Sequence, residues 1–127
     1  MRPIPLGAEG SFTLLVQPQH LADHFKDAML PPVLATPVMI MAMENAALNA
    51  IRAFLDPGKS AVGTAVDVRH LAATPVGRQI TAEAAMTLID GRHIDFRVRA
   101  TEGGKEIGLG THSRAVIDMA KFAERLR

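Results

Sequence analysis

Hydrophobic and polar positions change period several times along this chain. Residues 11–17 (SFTLLVQ) place Phe12, Leu14 and Val16 at alternate positions and predict a strand. Residues 19–29 (QHLADHFKDAM) shift to helical spacing, with Leu21, Phe25 and Ala28 on one side, and Pro31-Pro32 breaks that segment. Thr36-Pro37 then predicts a helix start, with Thr as N-cap and Pro at the first helical position. This long apolar helix runs to about Leu55, where Asp56-Pro57-Gly58 stops it.

Four strand-like segments follow. Residues 60–70 carry Val62, Val66 and Val68 on one face, with Asp67 and Arg69 on the other. Residues 79–89 carry Ile80, Ala82, Ala84, Met86 and Leu88. Asp90-Gly91 is a hairpin signal of the type I′ kind. Residues 92–101 alternate Ile94, Phe96 and Val98 inward, and Gly103-Gly104 marks a second hairpin before a last strand at 105–117. The tail DMAKFAERLR predicts at most a helical turn. The order is a strand, a short helix, one long apolar helix and a four-strand meander. It predicts an α+β domain in which a curled antiparallel sheet covers the helix and hides an edge by dimerisation.

Composition narrows the function classes. A chain of 127 residues suits one domain, spanning 1–127. Lys+Arg 14 against Asp+Glu 13 gives a net charge of +1, which supplies no attraction for nucleic acid or an anionic membrane. Aromatic content is 4%, with neither Trp nor Tyr, so base-stacking platforms are unsupported. The absence of Cys removes disulfides, thiolate metal ligands and thiol nucleophiles. The N-terminal residues lack the apolar core of a signal peptide, and the most apolar run is too short to span a bilayer. A cytoplasmic location is expected.

Glu44 is the only charged side chain from Pro37 to Ala50. On a helix it falls with Met41, Leu48, Ile51 and Leu55 on one stripe, while Asn45, Asn49 and Arg52 form the polar one. An ionised carboxylate there needs a partner or a raised pKa, and such groups are enriched among catalytic residues. A helix-edge Glu, or one paired across a subunit interface, explains the same position.

Other candidates carry similar alternatives. His70 ends its strand with the parity of Val66 and Val68; it is either a half-buried structural histidine or, with Glu44, half of an acid/base pair. Thr36 reads first as a helix cap and second as a hydroxyl facing a substrate. Gly63 marks either a bend or a close backbone approach whose amide donates to a carbonyl. His112 and Arg114 share a face of the last strand and read as a solvated or subunit-facing pair, with Arg114 also a candidate substrate contact. No histidine pair has metal-ligand spacing. GLG at 108–110 lies within a strand and opens no helix, so it is not a phosphate loop.

The strings ATPVMIMAMENAA, VGTAVDVRHLAATPVG and IGLGTHSRAVID together resemble the fluoroacetyl-CoA thioesterase-like family of hot-dog proteins. Thr36, Glu44 and His70 match that family's catalytic threonine, glutamate and histidine in type and spacing. HLAATPVG after His70 and GTHSR at 110–114 are further matches. The resemblance implies a hot-dog fold of about five strands around one central helix, dimerising through the sheet. It also implies an acyl-CoA thioesterase that needs neither a metal nor a separate cofactor. Glu44 would be nucleophile or base, His70 acid/base, and Thr36 a positioning group. The Gly63 amide would serve as a donor. One departure stands out: the stretch before Thr36 is MLPPVLAT, with Leu30 and no phenylalanine where the selective enzymes carry an aromatic lid. The expectation is therefore hydrolysis of a short or medium acyl-CoA without fluoroacetyl selectivity. A non-catalytic acyl-CoA or small-acid binder is the main alternative, and a hot-dog dehydratase or hydratase fits the motifs less well. Thr36 and Glu44 are eight residues apart, about 12 Å along one helix. That spacing predicts an active site whose glutamate comes from a different subunit than the Thr36 or His70 it works with.

Overall fold

The computed structural model describes residues 2–127. Strand β1 (Glu9–Leu15) leads through a 3-10 turn (Pro18–His20) and one helical turn, α1 (Ala22–Phe25), to the long helix α2 (Thr36–Ile51). A second 3-10 turn (Arg52–Phe54) ends α2, so the regular helix stops four residues before Leu55. Strands β2 (Lys59–His70), β3 (Gln79–Asp90), β4 (His93–Glu102) and β5 (Lys105–Asp118) follow, and α3 (Met119–Arg125) makes the tail a true short helix capped by the Asp118 side chain. The fold is α+β: a five-strand antiparallel sheet packed on one central helix, the hot-dog fold.

The sheet order is β1-β3-β4-β5-β2. Only β3, β4 and β5 form a meander. The four-strand meander read from the sequence is corrected by the 71–78 connection, which is too long for a hairpin and carries the chain from the β2 edge of the sheet to β3, next to the opposite edge strand β1. The β4–β5 hairpin has positive φ at both Gly103 and Gly104. The β3–β4 turn has it at Gly91 alone, the type II′ pattern rather than type I′.

Two bulges change which residues face the helix. The β2–β5 register shifts between Gly63 and Ala65, so Ala61, Gly63, Val66, Val68 and His70 share the helix-facing side while Val62 faces away. The β3–β4 register shifts between Met86 and Leu88, which turns Leu88 outward with Asp95. Strict period-2 reading fails at both places because one extra residue inverts parity.

The core is the seam between α2 and the sheet. Val38, Met39, Ala42, Met43, Ala46, Ala47, Ala50 and Ile51 are buried along α2, against Ile80, Met86, Ile94, Phe96 and Ile107 of the strands. The alanines let β1 approach closely: a methyl on Gly10 would lie 2.3 Å from the Ala46 carbonyl oxygen. Of the stripe assigned to Met41, Glu44, Leu48, Ile51 and Leu55, only Ile51 is buried. Met41 is exposed, and Glu44 and Leu48 lie half-buried on the flank. The small alanines, not the larger apolar residues beside Glu44, mark the face that meets the sheet.

Candidate functional site

Thr36 opens α2, but it is not the cap. Ala35 occupies the N-cap position in extended conformation, and no side chain caps the helix. Thr36 is the first helical residue and Pro37 the second, where its missing N–H has no intrahelical acceptor to lose. The Thr36 hydroxyl is thus free for another partner, and it lies 2.8 Å from Nδ1 of His70. His70 is the last residue of β2, set opposite Gly108. Backbone bonds brace both sides of the pair: Ala35 N–H donates to His20 O, Leu34 N–H to Thr74 O, and Leu71 N–H to Ile107 O.

His70 Nε2 is shut off from solvent and has no hydrogen-bond partner among the described residues. Burial pushes the imidazole pKa below its ordinary value, against a smaller opposing push from the Ala72 backbone. The ring is neutral at physiological pH. Beside it opens a cleft of about 390 Å³, walled by Lys26, Leu30, Val33, Thr36, His70 and Leu71. The structure thus brings Leu30 to the same cleft as Thr36 and His70.

Glu44 belongs to a second group. A methyl on Gly63 would sit 3.0 Å from Glu44 Oε2 and 3.3 Å from Cε1 of His112, so glycine is what lets the carboxylate and the ring meet β2 here. No side chain donates to the Glu44 carboxylate among the described residues. Arg114 is buried and cross-links the elements around it. Its Nε and Nη2 donate to Ala61 O at 3.2 and 2.6 Å, and its Nη1 to Glu44 O at 3.3 Å. His112 is also buried, with Nδ1 2.8 Å from Ala65 O and Nε2 3.1 Å from Arg114 Nη1.

These contacts correct the reading of His112 and Arg114 as a solvated pair. Both point with Val116 at the helix side of β5. The signal was present in the sequence, since Val116 continues their alternation. It was overridden by the expectation that two basic side chains belong in solvent. Burial is tolerated because every buried nitrogen of the pair has a partner.

The predicted site residues therefore separate into Thr36, His70 and Leu30 at one end, and Glu44, Gly63 and Arg114 at the other. Along β2, Gly63 and His70 are about 20 Å apart at strand rise. Among the described residues, no group of three or more His, Asp and Glu is placed to hold a metal ion. Among the same residues no helix is long and apolar enough to cross a membrane.

Comparison with known proteins places this arrangement. Residues 16–120 match the model of a family described as FlK, fluoroacetyl-CoA-specific thioesterase. The fluoroacetyl-CoA thioesterase of Streptantibioticus cattleyicolor is 44% identical over 100 residues, covering 79% of this chain and 72% of that protein. A solved structure of the fluoroacetyl-CoA thioesterase FlK superposes with a TM-score of 0.92 at 37% identity, covering 98% of this chain and 96% of the other. FlK mutants have been solved with fluoro-acetate, and with fluoroacetate and CoA. A Thermus thermophilus hypothetical protein, a thioesterase superfamily member, superposes at 0.93 with 32% identity over 100% of this chain and 93% of its own. The chain belongs to the fluoroacetyl-CoA-specific thioesterase family of hot-dog thioesterases, and is homologous to a thioester hydrolase.

Proposed function

We propose that this protein hydrolyses short or medium acyl-CoA thioesters to the free acid and CoA. The observation that carries this reading is the Thr36–His70 hydrogen bond at an open cleft, in a chain of a thioesterase family. Thr36 donates its hydroxyl proton to His70 Nδ1, which puts the imidazole proton on Nε2. That buried atom has no partner among the described residues, and it donates to the thioester once the substrate displaces the groups that cover it. Glu44 supplies the attack, either directly on the carbonyl carbon or by taking a proton from water that then adds. The C–S bond breaks: on the water route the departing thiolate takes the proton that Glu44 removed from water, and on the direct route water then opens the Glu44 mixed anhydride to the free acid and supplies that proton. The Gly63 amide and the Arg114 guanidinium stabilise the oxygen on which charge builds.

Glu44 and His70 sit in separate groups within one chain. The reading therefore has two copies pair through the sheet, so that the glutamate end of one faces the threonine–histidine end of its partner. Leu30 replaces an aromatic gate, and no phenylalanine lines the Thr36–His70 cleft. The acyl pocket is correspondingly unselective for fluorine.

The test is release of free CoA from a panel running from acetyl- to hexanoyl-CoA, with fluoroacetyl-CoA included. Turnover across the short chains, no preference for the fluorinated substrate, and its loss in Glu44→Gln are expected. Bound acyl-CoA recovered unchanged from every incubation identifies a binding protein instead.

A further inference from the structure

His112 is the buried titratable group that the mechanism above leaves without a task. Its partners fix its chemical state. Nδ1 faces the Ala65 carbonyl oxygen at 2.8 Å, and a carbonyl only accepts, so Nδ1 carries a proton. Nε2 faces Arg114 Nη1 at 3.1 Å, and a guanidinium only donates, so Nε2 carries a lone pair. The ring is a neutral imidazole held in one tautomer. It also stacks on Phe96, with centroids 6.0 Å apart and planes 24° from parallel, which fixes the plane in which both nitrogens point.

The two bonds reach the two features on which the Glu44 end depends. Ala65 is where pairing resumes after the register shift that begins at Gly63, so the bond from Nδ1 pins the far side of the bulge. Arg114 spends its Nε–H and one Nη2–H on Ala61 O, and its two Nη1–H on Glu44 O and His112. One Nη2–H remains without a partner among the described residues. Which way that last donor points is set by the other four bonds, and the His112 acceptor is the only side chain among them.

We propose that His112 is a positioning residue of the Glu44 half-site: it clamps the β2 bulge through Nδ1 and aims Arg114 through Nε2, so that the Gly63 backbone, the Glu44 carboxylate and the free Arg114 N–H converge. This rests on the thioesterase reading and adds a residue to it. Protonation at Nε2 would set donor against donor and release Arg114. The charged groups facing the ring are Arg114 from β5 and Glu44 from α2, which act on it in opposite directions.

Three variants separate the two bonds. His112→Gln places an amide oxygen near Nε2 and keeps the acceptor for Arg114. His112→Asn places an amide N–H near Nδ1 and keeps the clamp on Ala65. His112→Phe keeps the stacking and removes both bonds. With a turned-over acyl-CoA, kcat for His112→Phe is expected to fall about 100-fold with KM little changed, the scale of a misplaced catalytic group. His112→Gln and His112→Asn should each recover part of it, and Tm should not track kcat across the set. The wild-type imidazole 15N spectrum should show the Nδ1–H tautomer, unchanged between neutral and mildly alkaline pH. A folded His112→Phe with wild-type kcat, or an Nε2–H or protonated ring in that range, overturns the assignment alone. A wild-type protein that hydrolyses no acyl-CoA overturns the thioesterase reading, and this assignment with it.

Discussion

Thr36 Oγ1 and His70 Nδ1 lie 2.8 Å apart, joining the first residue of the central helix to the last residue of an edge strand. The bond exists because the helix is capped by a residue with no capping side chain. A threonine at Ala35 would bond the helix amides; a threonine one position later bonds the histidine. Thr36→Ala removes the hydroxyl and, on the proposed reading, lets the His70 ring choose its tautomer. We expect kcat to fall about 100-fold. The cost in stability should be only about 0.5–1.5 kcal/mol, the net worth of one such bond. Thr36→Ser keeps the hydroxyl and should stay near wild type. Steady-state kinetics beside urea unfolding of the three proteins checks both numbers.

The same pair shows what the sequence could and could not reveal. Hairpins, helix bounds and strand bounds were legible to within a few residues, because Gly, Pro and alternation are local signals. The facing of Val62 and Leu88 was not, because a bulge is decided by the neighbouring strand. Nor was the crossing from β2 to β3 legible, since pairing partners are set by packing on α2. The resemblance to a thioesterase family picked out Thr36, Glu44 and His70 together. Helix spacing already set Glu44 apart from Thr36, but no local signal showed that His112 and Arg114 would be buried beside the glutamate.

Two histidines make stability depend on pH in a defined window. Burial lowers the folded-state pKa of His70 and of His112, where the Arg114 charge adds to the effect. Between those lowered values and the ordinary 6.5, the unfolded chain binds more protons than the folded one. Stability therefore rises with pH through that window, is complete above it, and is lost as pH falls. The urea midpoint should hold steady from about pH 8 to about pH 7 and then decline towards about pH 5. His112→Gln should make the decline shallower. The lowered pKa of Asp95, held by Ser113 and His93, places its own loss of stability lower, below 3.8. A midpoint that is flat down to that range contradicts the assignment to histidine.

Two glycine substitutions should behave differently although both add one methyl. At Gly10 the methyl would meet backbone, 2.3 Å from both Ala46 O and Ala50 N, and neither can move without shifting α2. Gly10→Ala should destabilise by about 1–3 kcal/mol or more, as overpacking does. At Gly63 the methyl meets side chains rather than backbone, the end of Glu44 at 3.0 Å and the His112 ring at 3.3 Å. Gly63→Ala should keep its fold and lose activity. Thermal unfolding and hydrolysis assays on both variants read the contrast, and equal behaviour in the two would count against separate roles.

The separation of the two groups makes a prediction about which chains supply one site. Thr36 and Glu44 stand about 12 Å apart along α2. Gly63 and His70 stand about 20 Å apart along β2. Among the described residues no hydrogen bond joins the Thr36–His70 pair to the Glu44 carboxylate, yet the proposed hydrolysis needs both at one carbonyl. In the proposed two-fold dimer, the glutamate end of each copy would face the histidine end of the other, in two equivalent places. Glu44→Ala and His70→Ala proteins should each be inactive alone. When they are mixed, unfolded and refolded together, half the dimers are mixed, and each mixed dimer holds one site with both residues intact. The mixture should recover about a quarter of wild-type activity, which follows from counting two equivalent sites per two-fold dimer. Native mass spectrometry, with one protomer isotope-labelled, must show that mixed dimers formed. Exchanged dimers that recover no activity would mean that each chain builds its site alone, with Glu44 and His70 brought together by a movement of α2 against β2.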